Sequence, residues 1–291
     1  MAISKDVLED LYINKRMSSP AIARKFEIKH DRTVRKWLEK YNIPRRTLSE
    51  AGTIYPKTSF GGDLKLKAYL LGLRAGDFHA KRIHKVIRVQ TTTTHPAQVK
   101  MTQMVFGPFS HVGKYEFFNR HFNLKQWFIY CDLNESFSFI LNKPSEIPKW
   151  ILSNDELFYR FVAGYADCES SWKILKSHKD SIRFVFQLAS QDKKILYQIT
   201  KKLRRLGYVA NIYLDTKAGI KKNNLDMYRI MVYQTEDVLR LIKELLPLSC
   251  HQEKIDKMNL IQKSKRKKWS EVEKEIIELR NQIKSSRIQN N

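Results

Sequence analysis

Residues 70–78 read LLGLRAGDF and residues 162–170 read VAGYADCES. The two stretches align without gaps at an offset of 92, sharing an apolar pair, a glycine at the third position and an acid at the eighth. Gly72 and Gly76 are four residues apart, as are Gly164 and Cys168, so each pair falls on one helix face. Small residues at that spacing let two helices approach closely, which predicts that these segments pack against each other. The acids Asp77 and Glu169 follow the small faces directly. Paired helices related by a pseudo-two-fold axis would bring both carboxylates to one end of the pair. Two carboxylates that close repel and raise each other's pKa, an arrangement best explained by hard divalent cations between them.

The repetition extends outward from these motifs. VIRVQTTTTHP (86–96) parallels IRFVFQLASQD (182–192), each a strand running into a helix, and SFSFIL (136–141) parallels YRIMVY (228–233) as a second pair of strands. The helix DELFYRFVAGYADC (155–168) has Ser153 and Glu156 in place for a capping box. Arg88, Gln90, Thr92 and Thr94 alternate with Ile87 and Val89, and Arg183 and Gln187 alternate with Ile182, Phe184 and Phe186. Such strands pack one face inward and present the other face to base edges or phosphates. Trp127, Phe128 and Tyr130 read as part of a strand entering the core.

Upstream, KDVLEDLYINK (5–15), SSPAIARKFEI (18–28) and DRTVRKWLEKY (31–41) carry apolar residues at helical spacing and predict three short helices in a helix-turn-helix arrangement. Ser19 before Pro20 is the expected N-cap of the second helix. Arg32, Arg35 and Lys36 lie opposite Val34, Trp37 and Leu38 on the third helix, as a helix seated in a major groove requires. The organisation expected is a helix-turn-helix over 1–50, a linker over 51–62 that lies along DNA, half-domains over 63–150 and 151–262, and a basic tail over 263–291 that continues as a charged accessory helix.

Composition limits the partners. Lys and Arg total 54 against 30 Asp and Glu, an excess spread along all 291 residues, which points to a polyanion. No apolar run approaches a membrane span and the N-terminus lacks a secretory signal, so an intracellular protein, cytoplasmic or organellar, without a membrane partner is expected. Cys131, Cys168 and Cys250 are too widely spaced for a disulfide framework or a paired-cysteine zinc site. His79, His95 and His251 have no metal-ligand spacing, and no phosphate-binding glycine loop or recognisable Ser or Cys nucleophile is present.

With its two nine-residue motifs, the stretch from 63 to 262 resembles the single-chain LAGLIDADG homing endonucleases. The resemblance implies an α+β fold of two tandem αββαββα-like half-domains with saddle-shaped sheets, joined here to a small all-α helix-turn-helix. It implies a monomer that cuts double-stranded DNA at a long asymmetric site across the minor groove, leaving 3′ overhangs. It also implies that Asp77 and Glu169 hold magnesium, or another divalent cation such as manganese, at the scissile phosphates. A basic residue near such centres has Lys254, in HQEKIDK (251–257), and Lys143 as candidates. The sequence departs from the family pattern at Arg74 and at Ala75, where the second motif has Asp167. Alternative readings are a maturase that binds intron RNA and a catalytically weak DNA-binding regulator.

Overall fold

Leu8, Leu11, Tyr12, Ile22, Ala23, Val34 and Leu38 are buried together with Ile3 and Ile43, and their burial explains why the first segment folds as packed helices. In the computed structural model, which describes residues 3–46, 55–121, 123–219 and 225–287, this core belongs to one of two compact units, Met1–Pro56 and Lys57–Asn291. The first unit contains α1 (Lys5–Glu9, continued by a π-turn over Asp10–Asn14), α2 (Ser19–Lys25) and α3 (Asp31–Lys40). The N-cap of α2 is Ser18, whose hydroxyl accepts from Ala21 N, and not Ser19. Only from position 18 does a serine oxygen reach the third free N–H of this helix.

The second unit repeats one plan twice. Its first half runs α4 (Leu64–Ala75), β1 (His79–Ile83), β2 (Val86–Thr93), α5 (Pro96–Phe106), β3 (Val112–Asn119) and β4 (Leu124–Leu133). The second runs α6 (Asp155–Glu169), β5 (Ser170–Lys176), β6 (Ile182–Ser190), α7 (Lys193–Arg205), β7 (Ala210–Thr216), β8 (Met227–Val232) and α8 (Thr235–Leu245), followed by α9 (Gln252–Lys263) and α10 (Trp269–Ser286). Each half makes a four-stranded antiparallel sheet, in the orders β1-β2-β4-β3 and β5-β6-β8-β7. Register puts Ile87 opposite Leu133 and Val89 opposite Cys131, all buried, so these residues define the inner face of the first sheet. Phe186 opposite Val232 and Leu188 opposite Ile230 do the same in the second. Among the described residues no helix is long and apolar enough to cross a membrane.

Two expectations change in this unit. SFSFIL is not a strand: Glu135–Ile140 is a 3₁₀ turn, and the strand equivalent to β8 is β4. Asn134 accepts from Ser136 N to start that turn, and Phe137 packs edge-on to Phe60 and Phe109, an aromatic cluster that overrides the alternating pattern. The cap of α6 is Asn154, bonded to Leu157 N, while Glu156 reaches Lys65 on α4 at 2.6 Å instead of closing a box with Ser153. The linker expected over 51–62 lies partly outside the described residues, but its end is anchored. Thr58 N bonds Phe109 O at 2.8 Å and Phe60 N bonds Ser136 Oγ at 2.7 Å.

The C-terminal stretch is docked as well. Val272 and Ile276 of α10 are buried in the main core, and Ser270 donates from both N and Oγ to Asp180 in the β5–β6 connection.

Candidate active site

The close approach of α4 and α6 sets the geometry of the site. A Cβ at Gly72 would collide with the Phe161 carbonyl and lie 2.8 Å from Tyr165 N; one at Gly164 would strike the Tyr69 carbonyl and lie 3.1 Å from Leu73 N. The helices therefore meet backbone to backbone, which only glycine permits. One turn further on, a Cβ at Gly76 would lie 2.5 Å from Cys168 Cβ and 3.6 Å from Glu169 Cγ. The spacing of small residues thus has the consequence expected from sequence, and the chain end of each helix delivers its acid beside the other helix.

Asp77 follows the C-cap of α4 and Glu169 is the last residue of α6. Much of Asp77 remains open to solvent, but protein crowds one side of its carboxylate. Desolvation raises its pKa against the opposing pull of Lys254, Lys143 and His95. Glu169 is half-buried, and desolvation together with the nearby negative charge of Asp77 pushes it up to about 7. Two acids that each disfavour ionisation at one spot form a negative locus awaiting positive charge.

Two lysines face this locus. Lys254, in the first turn of α9, donates from Nζ to the carbonyl of Ser170, the residue after Glu169, and burial lowers its pKa. Lys143 pairs with Asp192 at 2.9 Å while its charge also reaches Asp77 and Glu169. The segments bearing these lysines are held by the residues that depart from simple repetition. Buried Arg74 donates to Ile140 O at 2.9 Å, Phe78 O at 3.0 Å and Leu141 O at 3.2 Å, fixing the chain just ahead of Lys143. Buried Asp167 accepts from Tyr69 Oη at 2.7 Å, from Cys250 N at 2.7 Å and from Ser249 Oγ, fixing the chain just ahead of Lys254.

A second pair of clasps crosses between the halves. Lys143 bonds Asp192, the N-cap residue of α7, and Glu253 bonds Nδ1 of His95, the N-cap residue of α5, at 2.8 Å. His95, which has no metal-ligand spacing in sequence, is therefore a structural partner. His251 is buried with Nδ1 unpartnered in the structure, and desolvation depresses its pKa to about 3.

The sheets present their outer faces as the alternation predicts. Arg88 and Gln90 are half-buried and Thr92 is exposed. Arg88 is not free, since it grips Asp132 with two hydrogen bonds of 2.7 Å and lies 4.5 Å from the centre of the Tyr130 ring. Gln90 has no partner for Oε1. Arg183 is exposed and Gln187 half-buried on the outer face of β6. Phe128 and Tyr130 are corrected: they share the outer face with Arg88, opposite buried Ile129 and Cys131, and Phe128 stacks on exposed Tyr115 at 5.1 Å. In the first unit, Arg32 and Lys36 are exposed, and Arg35 is paired with Asp31 one turn earlier on α3.

Comparison with known proteins sets this geometry in context. Residues 159–245 match the family model described as a LAGLIDADG-like domain. The first half, with the same strand order and the Asp77 motif, lies outside that match. Among solved structures, the homing endonuclease I-WcaI bound to its DNA recognition sequence is similar at 16% identity and a TM-score of 0.50, over 68% of this chain and 88% of that one. I-DmoI in complex with DNA and Ca matches at 17% identity, over 63% of this chain and 90% of that one, with a TM-score of 0.42. A mutant of I-SmaMI matches at 11% identity, over 75% of this chain and 97% of that one, with a TM-score of 0.46. The first of these likenesses shows that the two-half fold is that of a homing endonuclease. No curated protein sequence matches the chain.

Proposed function

We propose that this chain is a homing-type endonuclease that cuts double-stranded DNA at a long asymmetric site, with Asp77 and Glu169 as the catalytic, metal-binding pair. The observation that carries the reading is the convergence of those two acids at the end of a backbone-to-backbone helix pair, with a lysine held beside each half. Fold likeness to a DNA-bound homing endonuclease supports it. Because one chain supplies both acids and two non-identical sheets, a monomer reads an asymmetric target without a partner copy.

The donor set fits a hard divalent cation such as magnesium. No group of three or more His, Cys, Asp or Glu gathers among the described residues, so the protein offers two carboxylates and leaves the remaining positions to phosphate oxygens and water. That is the usual manner of magnesium binding at phosphoryl centres. A bound cation there would activate water and neutralise charge on the phosphate and the leaving oxygen. The protein's own part is to hold the pair in register through Gly72 and Gly164 and to place Lys254 and Lys143 where phosphate charge develops. The outer sheet faces, with Arg88, Gln90, Thr92, Arg183 and Gln187, would contact the DNA. α2 and α3 would act as a helix-turn-helix, with Arg32 and Lys36 reading and Arg35 available once it leaves Asp31.

The test is cleavage of a plasmid library carrying random targets, with magnesium and with chelator, by the chain, Asp77→Asn and Glu169→Gln. Metal-dependent double-strand cutting that both substitutions abolish supports the reading; cutting that survives in both overturns the assignment of the pair. The aromatic row of Tyr115, Phe128 and Tyr130 favours a second reading, in which intron RNA stacks unpaired bases on the first sheet.

A further inference from the structure

Beside β5 the structure gathers positive charge that the proposed cleavage site does not use. Lys173 lies on the outer face of β5, facing Val185 across the ladder between the rungs that hold Gln187 and Arg183. Next to it a cavity of about 220 Å³ is lined by apolar Trp172, Ile261 and Leu279 and by Lys173, Lys257 and Arg280. Lys257 is the centre of the cluster: burial lowers its ammonium pKa, only Glu253 opposes that, and Arg287, Arg280 and Lys173 press it lower. Glu253 is already bonded to His95, and none of the four cations makes an ion pair among the described residues.

This convergence is fixed by the fold. Burial of Val272 and Ile276 seats α10 on the core, the bonds from Ser270 to Asp180 tie its start to the β5–β6 connection, and Glu271 accepts from Lys268 N at 2.6 Å to cap it. The acids of α10 (Glu271, Glu273, Glu275 and Glu278) fall in its first ten residues, whereas Arg280 and Lys284 follow one another down one side of its later turns and Arg287 is its C-cap residue. A helix docked in this way carries its basic end to Lys257. Like charges held together without counter-charge cost stability, so the arrangement is maintained for an anion that supplies the missing charge.

The geometry points to a phosphate clamp: we infer that Lys173, Lys257, Arg280 and Arg287 hold the backbone of double-stranded DNA where it leaves the second half-site. Resting on the endonuclease reading, the inference adds a contact from α9 and α10, the helices that follow the second half. Lys173 stands four residues beyond Glu169, about 13 Å along an extended strand. This spans roughly four nucleotides of one DNA strand, so the clamp grips the duplex next to the candidate cut and gives the footprint a polarity.

The experiment measures binding of the full chain to a labelled duplex with calcium in place of magnesium, across a salt series, for wild type, Lys257→Gln, Arg280→Gln and the double variant. Lys274→Gln, on the same helix, is the control, and melting curves confirm that each variant folds. Each lost phosphate contact lowers the slope of log affinity against log salt by about 0.9. The expected result is a slope reduced by about 1 in each single variant and about 2 in the double, with unchanged base preference and an unchanged control. An unaltered slope in variants of a chain that binds duplex overturns the clamp alone. A wild-type chain that fails to bind duplex overturns the endonuclease reading and the clamp with it. Slopes that fall on an RNA hairpin but not on duplex DNA overturn the assignment to DNA.

Discussion

Glu169→Gln should stabilise the metal-free protein, and by an amount that depends on pH. Glu169 has its carboxyl raised from 4.5 to about 7, first by burial and then by Asp77. A raised acid binds its proton more tightly in the folded state, so below pH 4.5 it costs the fold nothing. The cost accumulates as pH rises from 4.5 to about 7 and is complete above that. At about 1.4 kcal/mol per pKa unit the full penalty at pH 8 is roughly 3 kcal/mol, and a little under 1 kcal/mol of it is present at pH 5. Access of water to one side of the carboxylate reduces the pH 8 value to about 2 kcal/mol. Glutamine copies the protonated form and lifts this penalty. Thermal melting in chelator should then place the variant roughly 4–8 °C above wild type at pH 8 and within a degree or two at pH 5. Adding magnesium should stabilise wild type by about 1.4 kcal/mol at ten times the dissociation constant and leave the variant almost unmoved. A variant no more stable than wild type at pH 8, or one whose gain is equal at both pH values, would refute the argument that charge crowding at this pair strains the fold.

Other substitutions probe the framework. Gly72→Ala puts a methyl group on the Phe161 carbonyl, and forcing α4 from α6 should cost about 3 kcal/mol; differential scanning calorimetry should show a fall in Tm of about 5 °C or more, with cleavage lost in step. Arg74→Met leaves the carbonyls of Phe78, Ile140 and Leu141 without their donor, a loss of about 3 kcal/mol by urea titration. Lys254→Met should reduce the single-turnover cleavage rate about 100-fold or more while duplex affinity measured in calcium changes by less than threefold.

The central helix pair was legible because its requirement is local. Glycine at positions 72 and 164 is the only residue that admits a carbonyl at van der Waals contact, and the acid follows at a fixed number of residues. What sequence did not yield depended on neighbours distant along the chain. The period-2 pattern of SFSFIL is real, but Phe60 and Phe109 recruit Phe137 into an aromatic cluster that suits a 3₁₀ turn. Phe128 and Tyr130 read as part of a strand entering the core, although strand parity with Ile129, Cys131 and Leu133 places them outward. Tyr130 finds its cover on Gly113, where a Cβ would lie 2.5 Å from the ring. The basic cluster at Lys257 had a partial signal in the charge segregation of α10, but only docking reveals that its positive end meets β5.

Arg74 and Asp167, at positions where the two motifs differ from each other, show how one chain with two halves escapes exact symmetry. Both are buried, both lie within the helix pair, and each pins the segment that delivers a lysine toward the acids. Arg74 does so as a donor to carbonyls, and Asp167 as an acceptor from an amide and two hydroxyls, so the task persists while the charge is reversed. The interlocking clasps follow the same logic, with Lys143 meeting an acidic N-cap residue at Asp192 and Glu253 meeting a basic one at His95. A homodimer could not make either exchange, because any substitution would appear twice around the axis. Fusion into one chain lets each half solve the same tethering problem with opposite chemistry, and it removes any need for the two sheets, or the two sides of the candidate centre, to stay alike.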